Sequence, residues 1–349
     1  SELDVGRHEI AEAYRDASAA WAEFRRRIVD AGREVLDGAR RAIVVIGKPY
    51  NALDPYLNLN LLKHLRRLGV TAIPMWYLPI EDVELDPQSD RLPWHLNRMI
   101  VRAVRYCQRD DRLFPVLVSN FGCGPDAFTQ MHLEQMLDGR PALVLEFDEH
   151  RAEAGLVTRL EAFLDEIEEP RKHAAPLAAV ERQMPHIADA EPQAARQSFV
   201  IPYFSDHAYA YSGALQAASH RARVLPLPSE EIQLLGEANT SGKECHPYSL
   251  LTGDLVHLAR SPRKNSEVFF FPGTTIPCLM HQYGEGHRLL LKRMKVSDLS
   301  VLTPGLKDLK ALIGVEIGVR LWRGLVAVDL LIKMVCETRP YELEHGQTD

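Results

Sequence analysis

Ala42-Ile43-Val44-Val45-Ile46 is a run of five apolar, mostly β-branched residues, and Gly47-Lys48-Pro49-Tyr50 ends it. A run so short and so uniformly apolar is expected of a strand covered on both faces, the usual condition of a parallel sheet. The same alternation continues outward. Leu57–Leu68 predicts a helix, Thr71–Met75 a second strand, Trp94–Tyr106 a helix and Pro115–Ser119 a third strand. Phe121-Gly122-Cys123-Gly124-Pro125-Asp126 breaks that strand, and a helix follows toward Leu137. Ala142–Phe147 reads as a fourth strand and Ala152–Ile167 as a helix. Strands alternating with helices imply a parallel, doubly wound sheet.

The pattern stops at Glu169–Gln197, a stretch with four prolines, many alanines and scattered charges that suits an interdomain connection. It then restarts. Ser198–Ile201, Ala222–Leu225, Val268–Phe271 and Leu299–Leu302 read as strands, with helices between them and a long one over Lys307–Cys336. The expected fold class is therefore α/β, with two flavodoxin-like (Rossmann-like) parallel-sheet domains, an N-terminal helical arm and a long C-terminal helix. The boundaries are residues 1–39 for the arm, 40–168 for the first domain with its Cys123 loop, 169–197 for the linker, and 198–349 for the second domain with its Cys245 and Cys278 loops. In the arm, Ile10, Tyr14, Ala17, Trp21, Phe24 and Ile28 are spaced four and three apart and share one face. That face is expected to pack on its own domain, with a docking arm for another subunit as the alternative.

Composition narrows the function. Of 349 residues, 46% are hydrophobic and 26% charged, which is ordinary for a globular chain and unlike a disordered one. A formal net charge of −7 argues against a nucleic-acid partner. No apolar run reaches the ~18 residues of a membrane span, and residues 1–16 carry no signal-like apolar segment. Five cysteines are too few for a disulfide scaffold, so a reducing, cytoplasmic location is expected. The chain opens at Ser1 and stops at Asp349, soon after Arg339-Pro340-Tyr341-Glu342, which suggests a piece of a longer polypeptide.

Three of the cysteines share a setting. Cys123 and Cys278 each follow a predicted strand in a loop with glycine and proline, and Cys245 lies in Gly242-Lys243-Glu244-Cys245-His246-Pro247, just before a helix. Such loops lie at the ligand-binding edge of an open α/β sheet. Thiolates are soft ligands for iron–sulfur clusters, zinc or copper, and glycine lets backbone approach an inorganic core. The spacing alone leaves two readings open, a three-cysteine metal site and three unrelated loop cysteines. Cys107 and Cys336 fall within predicted helices among apolar neighbours and read as small buried hydrophobes. There is no GxGxxG after the first strand, no GxxxxGK[ST], no GxSxG and no HExxH. Glu146-Phe147-Asp148-Glu149-His150 could hold a carboxylate pair, or simply be a solvated turn at a strand end.

Taken in order, several motifs resemble a known superfamily. They are Gly47-Lys48-Pro49-Tyr50-Asn51-Ala52-Leu53-Asp54-Pro55, Asn120-Phe121-Gly122-Cys123-Gly124-Pro125-Asp126, Leu145–His150, Asp206-His207-Ala208-Tyr209, Thr240–Cys245, Thr252-Gly253-Asp254 and Pro277-Cys278. The chain resembles the ATP-dependent acyl-CoA dehydratase/reductase superfamily, which includes 2-hydroxyacyl-CoA dehydratases, benzoyl-CoA reductases and double-cubane cluster proteins. It looks most like the dehydratase-like part of large CoA-substrate-specific enzyme activase-related proteins. The resemblance implies a 4Fe–4S cluster on Cys123, Cys245 and Cys278, with one iron open. It implies low-potential one-electron reduction, a partner activator ATPase with its own iron–sulfur cluster, and an acyl-CoA or other small-molecule substrate. A double-cubane cluster would need further cysteines from another segment or chain. Neither nucleic acid nor membrane is expected as a partner, and a homo- or hetero-oligomer is compatible with the reading. Two alternatives stand beside it: a cluster-free structural or docking domain of a large activase-related protein, and a three-cysteine zinc site.

Asn120, Lys243, Glu244 and His246 flank the candidate ligands, and Tyr50 and Asn51 lie in the first loop motif, so these six are candidates for the surroundings of cluster or substrate. A cation or N–H donor beside an all-thiolate cluster stabilises its reduced state. Lys243→Ala is accordingly expected to lower the cluster potential without abolishing assembly, whereas Cys245→Ala abolishes or severely weakens assembly. A redox titration of the Lys243→Ala protein checks this, and an unchanged midpoint assigns Lys243 to solvent.

Overall fold

The computed structural model describes residues 6–137, 139–148, 153–168, 197–263, 265–274, 276 and 278–348. The expected linker, apart from Gln197, lies outside the described residues, as do Glu149 and His150 of the acidic run. The chain divides into two compact units, Ser1–Glu181 and Arg182–Asp349.

The first unit runs α1 (Arg7–Asp37), β1 (Ala42–Gly47), α2 (Pro49–Leu53), α3 (Leu61–Arg67), β2 (Thr71–Pro74), α4 (Pro87–Asp90), α5 (His95–Gln108), β3 (Leu113–Asn120), α6 (Gly124–Met136), β4 (Leu143–Phe147) and α7 (Glu153–Glu168). Its four strands form one parallel sheet in the order β2-β1-β3-β4. Every residue of β1 is buried, as its composition requires. Val44 and Ile46 join a core with Met75, Met99, Val104 and Cys107, while Ile43 and Val45 face Leu65, Leu160 and Phe163. Each such side chain contributes about 1.5–3 kcal/mol by leaving water. β1 therefore ties two helical layers together.

The arm departs from expectation. α1 has 31 residues, about 46 Å of helix at 1.5 Å per residue, which is more than twice the length of a six-residue strand. Only its later turns meet the domain. The Arg25 guanidinium donates to the Trp76 carbonyl and pairs with Glu81 at 2.6 Å, and Leu36 is buried. Ile10, Tyr14, Trp21 and Phe24 are 46–74% exposed. The face expected to pack on its own domain is thus open over its first turns.

The second unit repeats the topology with β5 (Ser198–Ile201), α8 (His207–Ala217), β6 (Arg221–Val224), α9 (Glu230–Glu237), α10 (His246–Arg260), β7 (Glu267–Phe270), α11 (Tyr283–Arg293), β8 (Leu299–Leu302) and α12 (Leu306–Thr338). Its parallel sheet has the order β6-β5-β7-β8. Two separate sheets, not one, confirm the fold class. α12 kinks at Gly314, whose φ is 76°, and packs through Ile313 and Leu321 on the core that holds α8. Its last turns project away from that core. Cys336, expected to be a small buried hydrophobe, is exposed there together with Leu330, Leu331 and Met334. Cys107 does match expectation: it is buried, and burial pushes its thiol up to about 12. Among the described residues, no helix is long and apolar enough to cross a membrane.

α9 and α10 pack backbone to backbone. A Cβ at Gly253 would lie 2.0 Å from the Ile232 carbonyl oxygen, and one at Gly236 would lie 2.0 Å from that of Ser249. Neither neighbour is a flexible side chain that could move aside. Gly253→Ala is expected to cost about 3 kcal/mol by overpacking, read as a drop in thermal midpoint. Gly213→Ala in α8, where a Cβ meets nothing within 4 Å, is the control and should be neutral or slightly stabilising.

Candidate functional site

In each sheet the strand order reverses beside the first strand, between β1 and β3 and between β5 and β7. The carboxyl ends of such neighbours open a crevice, because their loops leave in opposite directions. In the first unit the two loops are Gly47-Lys48-Pro49 and Asn120–Gly124. Gly122 takes a left-handed φ of 71°, which turns the chain back so that the Cys123 N–H bonds the Asn120 carbonyl at 3.2 Å. Cys123 then stands at the N-cap of α6 with extended backbone, at the positive end of that helix.

Lys48 comes across from the other loop. Its ammonium donates to the Cys123 sulfur at 3.2 Å and pairs with Asp126 Oδ1 at 3.0 Å. Asp126 is held in turn. Ser119 Oγ donates to its Oδ2 at 2.7 Å and Asn97 Nδ2 to its Oδ1 at 2.9 Å, while Asn97 also bonds Thr129 at 2.8 Å. Lys48, Asn97, Ser119, Asp126 and Thr129 are all buried. Burial alone pulls the Lys48 ammonium down, but Asp126, and after it Cys123, outweigh this and hold it above its ordinary value. Lys48 and Asp126 stand in the quoted motifs, yet sequence reasoning gave neither a part in the site. The signal available was position: a lysine in the first strand-to-helix turn, and an aspartate three residues after the cysteine.

In the second unit Cys278 follows β7, the place that Cys123 holds after β3. Cys245 caps α10 in extended conformation. The Tyr283 hydroxyl lies 2.6 Å from the Cys245 sulfur. Burial, and then the hydrogen bond to Cys245, push the Tyr283 hydroxyl above its ordinary value. Behind it Tyr248 stacks on His287 at 4.7 Å and 9°. His287 is fully buried and pulled down to about 3, so it is a neutral ring bonded to Thr252 at 3.1 Å. All five cysteines are free thiols, with Cys123 and Cys245 half-buried and Cys278 exposed.

The other predicted residues have simpler places. Glu244 folds back on its own loop and accepts from the Ser241 N–H at 3.0 Å and the Lys243 N–H at 3.2 Å. His246 is exposed at the start of α10, and Asn120 is exposed at the end of β3. Tyr50 is exposed, while Asn51 is buried and its carbonyl accepts from Asn58 at 3.0 Å. Among the described residues, no group of three or more His, Cys, Asp or Glu is placed to hold a metal ion.

Residues 1–78 match the family described as CoA enzyme activase uncharacterised domain (DUF2229). That stretch covers α1 to β2 and includes Lys48, Tyr50 and Asn51; the three loop cysteines lie beyond it. The segment is thereby associated with CoA enzyme activase proteins. No curated protein matches the chain, and no solved structure does.

A cavity of about 700 Å³ lies against β6, α9 and α10, lined by Arg221, Arg223, Ile232, Asp254 and His257 among others. Asp254 is buried, and among the described residues its Oδ2 has no hydrogen-bond partner. Burial raises its carboxyl from 3.8 to about 7. The folded state therefore binds the extra proton between those values, and stability falls as pH rises through that window. A shift of about three units corresponds to something on the order of 4 kcal/mol at pH 8. Asp254→Asn is expected to melt higher than the parent at pH 8 and to lose that advantage near pH 4, which thermal unfolding across pH would check.

Proposed function

We propose that the chain is an iron–sulfur component of the acyl-CoA dehydratase/reductase kind, carrying a 4Fe–4S cluster on Cys123, Cys245 and Cys278. The observation that carries the reading is the donor set. Three free thiols stand in loops at strand ends or helix starts, and two of them already lie within hydrogen-bond distance of a polar group, the Lys48 ammonium for Cys123 and the Tyr283 hydroxyl for Cys245. Soft sulfur ligands with a cation and a hydroxyl turned toward them suit a cluster of net negative charge. The match of residues 1–78 to a CoA enzyme activase domain supports the same setting.

When bound, such a cluster supplies a one-electron carrier with one iron not held by protein sulfur. The chain's own residues do the rest. Lys48 and the α6 N-terminus lower the cost of negative charge at Cys123, and the Tyr283 hydroxyl does so at Cys245. Electrons come from an activator ATPase with its own cluster, and the acceptor is an acyl-CoA or another small molecule. Anaerobic reconstitution tests the reading. Iron and sulfide in equal amounts and an EPR signal after dithionite reduction are expected, with iron reduced in Cys123→Ala, Cys245→Ala and Cys278→Ala and unchanged in Cys107→Ala. A colourless protein without iron overturns it.

One observation favours a second reading, a cluster-free docking domain. Ile10, Tyr14, Trp21 and Phe24 of α1, and Trp322, Leu330 and Leu331 of α12, leave large apolar surfaces open. Iron-free wild-type protein would select it.

A further inference from the structure

We propose that the cleft between β6 and the α9–α10 pair binds a small aliphatic amino-carboxylate, with its ammonium on Asp254 and its carboxylate on Arg221 and His257. The proposal does not depend on the iron–sulfur reading. It starts from space that the fold leaves unfilled. Packed interiors hold few voids larger than a water molecule. This cavity measures about 700 Å³, within the range of small-molecule sites, about 300–1,000 Å³. β6 is an edge strand, and its side chains alternate between two faces. Ala222 and Val224 pack on the core that holds α8. Arg221, Arg223 and Leu225 take the other face and line the cavity with Ile232 of α9 and Asp254 of α10. A helical layer over a sheet is ordinarily met by apolar side chains; here it is met by two arginines.

The opposite wall is fixed. A Cβ at Gly253 would lie 2.0 Å from the Ile232 carbonyl oxygen, so α9 and α10 already touch and hold their spacing. Asp254, the next residue, is 5% exposed and lines the cavity, and among the described residues its Oδ2 has no hydrogen-bond partner. A buried carboxyl oxygen left unmet is costly, and an ammonium entering the cleft would meet it with a charge-assisted bond. Toward solvent the demand is reversed. Arg223 pairs with Glu267 at 3.3 Å, and Arg263 pairs with Asp298. Arg221, and His257 one turn beyond Asp254, line the cleft and are exposed, so they can take an anion at the outer end of the ligand. Glu231 also lines the cleft and disfavours a ligand that is anionic at both ends. The apolar lining is aliphatic, with Leu225, Leu227, Ile232 and Leu258 and no Phe, Tyr or Trp. A flat ring has nothing there to stack on, whereas an aliphatic chain fits.

Three six-carbon probes separate the two ends: 6-aminohexanoate, 1,6-diaminohexane and adipate. They are titrated into the full chain by calorimetry at pH 8, where Asp254, raised by burial only to about 7, is ionised and the amines keep their protons. 6-Aminohexanoate is expected to bind about tenfold more tightly than either symmetric probe. Asp254→Asn is expected to lose about tenfold in affinity for 6-aminohexanoate and to leave adipate unchanged. Arg221→Gln is expected to lose about tenfold for 6-aminohexanoate and to leave 1,6-diaminohexane unchanged. Arg221 is exposed, so its variant carries the test even if Asp254→Asn fails to fold. A symmetric probe that binds as tightly as 6-aminohexanoate overturns the proposal. So does an affinity for 6-aminohexanoate that the folded variants leave unmoved, and so does the lack of saturable binding by any of the three.

Discussion

The ladder between β1 and β3 sets Gly47 opposite Val118, and this register delivers the Lys48 ammonium to the Cys123 sulfur. Side chains alternate along a strand, so a slip of one residue would turn the apolar set of β1 from one core to the other and carry Lys48 away with it. The register is strongly held because β1 is buried on both faces and no slipped pairing keeps both cores. The rigidity of the candidate site is thus inherited from packing some distance from it.

Burying a lysine and an aspartate together stabilises little by itself, since desolvation offsets most of their attraction. What keeps the pair in place is the network around it. Ser119 at the end of β3, Asn97 on α5 and Thr129 on α6 give the carboxylate and its neighbours further hydrogen bonds. A group bonded from three elements is expensive to disturb, because loosening any one leaves a buried polar atom unsatisfied. Such a network costs more to build than apolar packing would, and it fills the crevice of the first unit with charge that the fold alone does not need.

The α/β class and the two-sheet division were legible in the sequence because parallel strands announce themselves as short, wholly apolar runs, as at Ala42–Ile46 and Val268–Phe271. α9 was missed because eight residues are too few for a helical period to stand out. The exposure of Cys336 and of the early turns of α1 was missed for another reason. Periodicity finds an apolar face but not whether a partner lies within reach, and both helices extend past the cores they pack on. The cysteine loops were legible as loops. Lys48 was not legible as their partner, because its meeting with Cys123 spans 75 positions and depends on strand order, which local sequence does not encode.

The two units follow one plan but differ in what they bring to sulfur. Cys123 and Cys278 each follow the third strand of a 2-1-3-4 sheet. The residue after the first strand is Lys48 in one unit and Pro202 in the other. A proline has neither charge nor donor, so the second unit cannot repeat the cationic contact from that position. Its polar partner, the Tyr283 hydroxyl, comes instead from the start of α11 and shares a hydrogen bond with Cys245, which stands before a helix and not after a strand. A phenol and an ammonium both donate to sulfur, but only the ammonium brings a full charge. The two units thus meet a thiol by different routes, one with an ammonium from the turn after its first strand and the other with a phenol from the start of a helix.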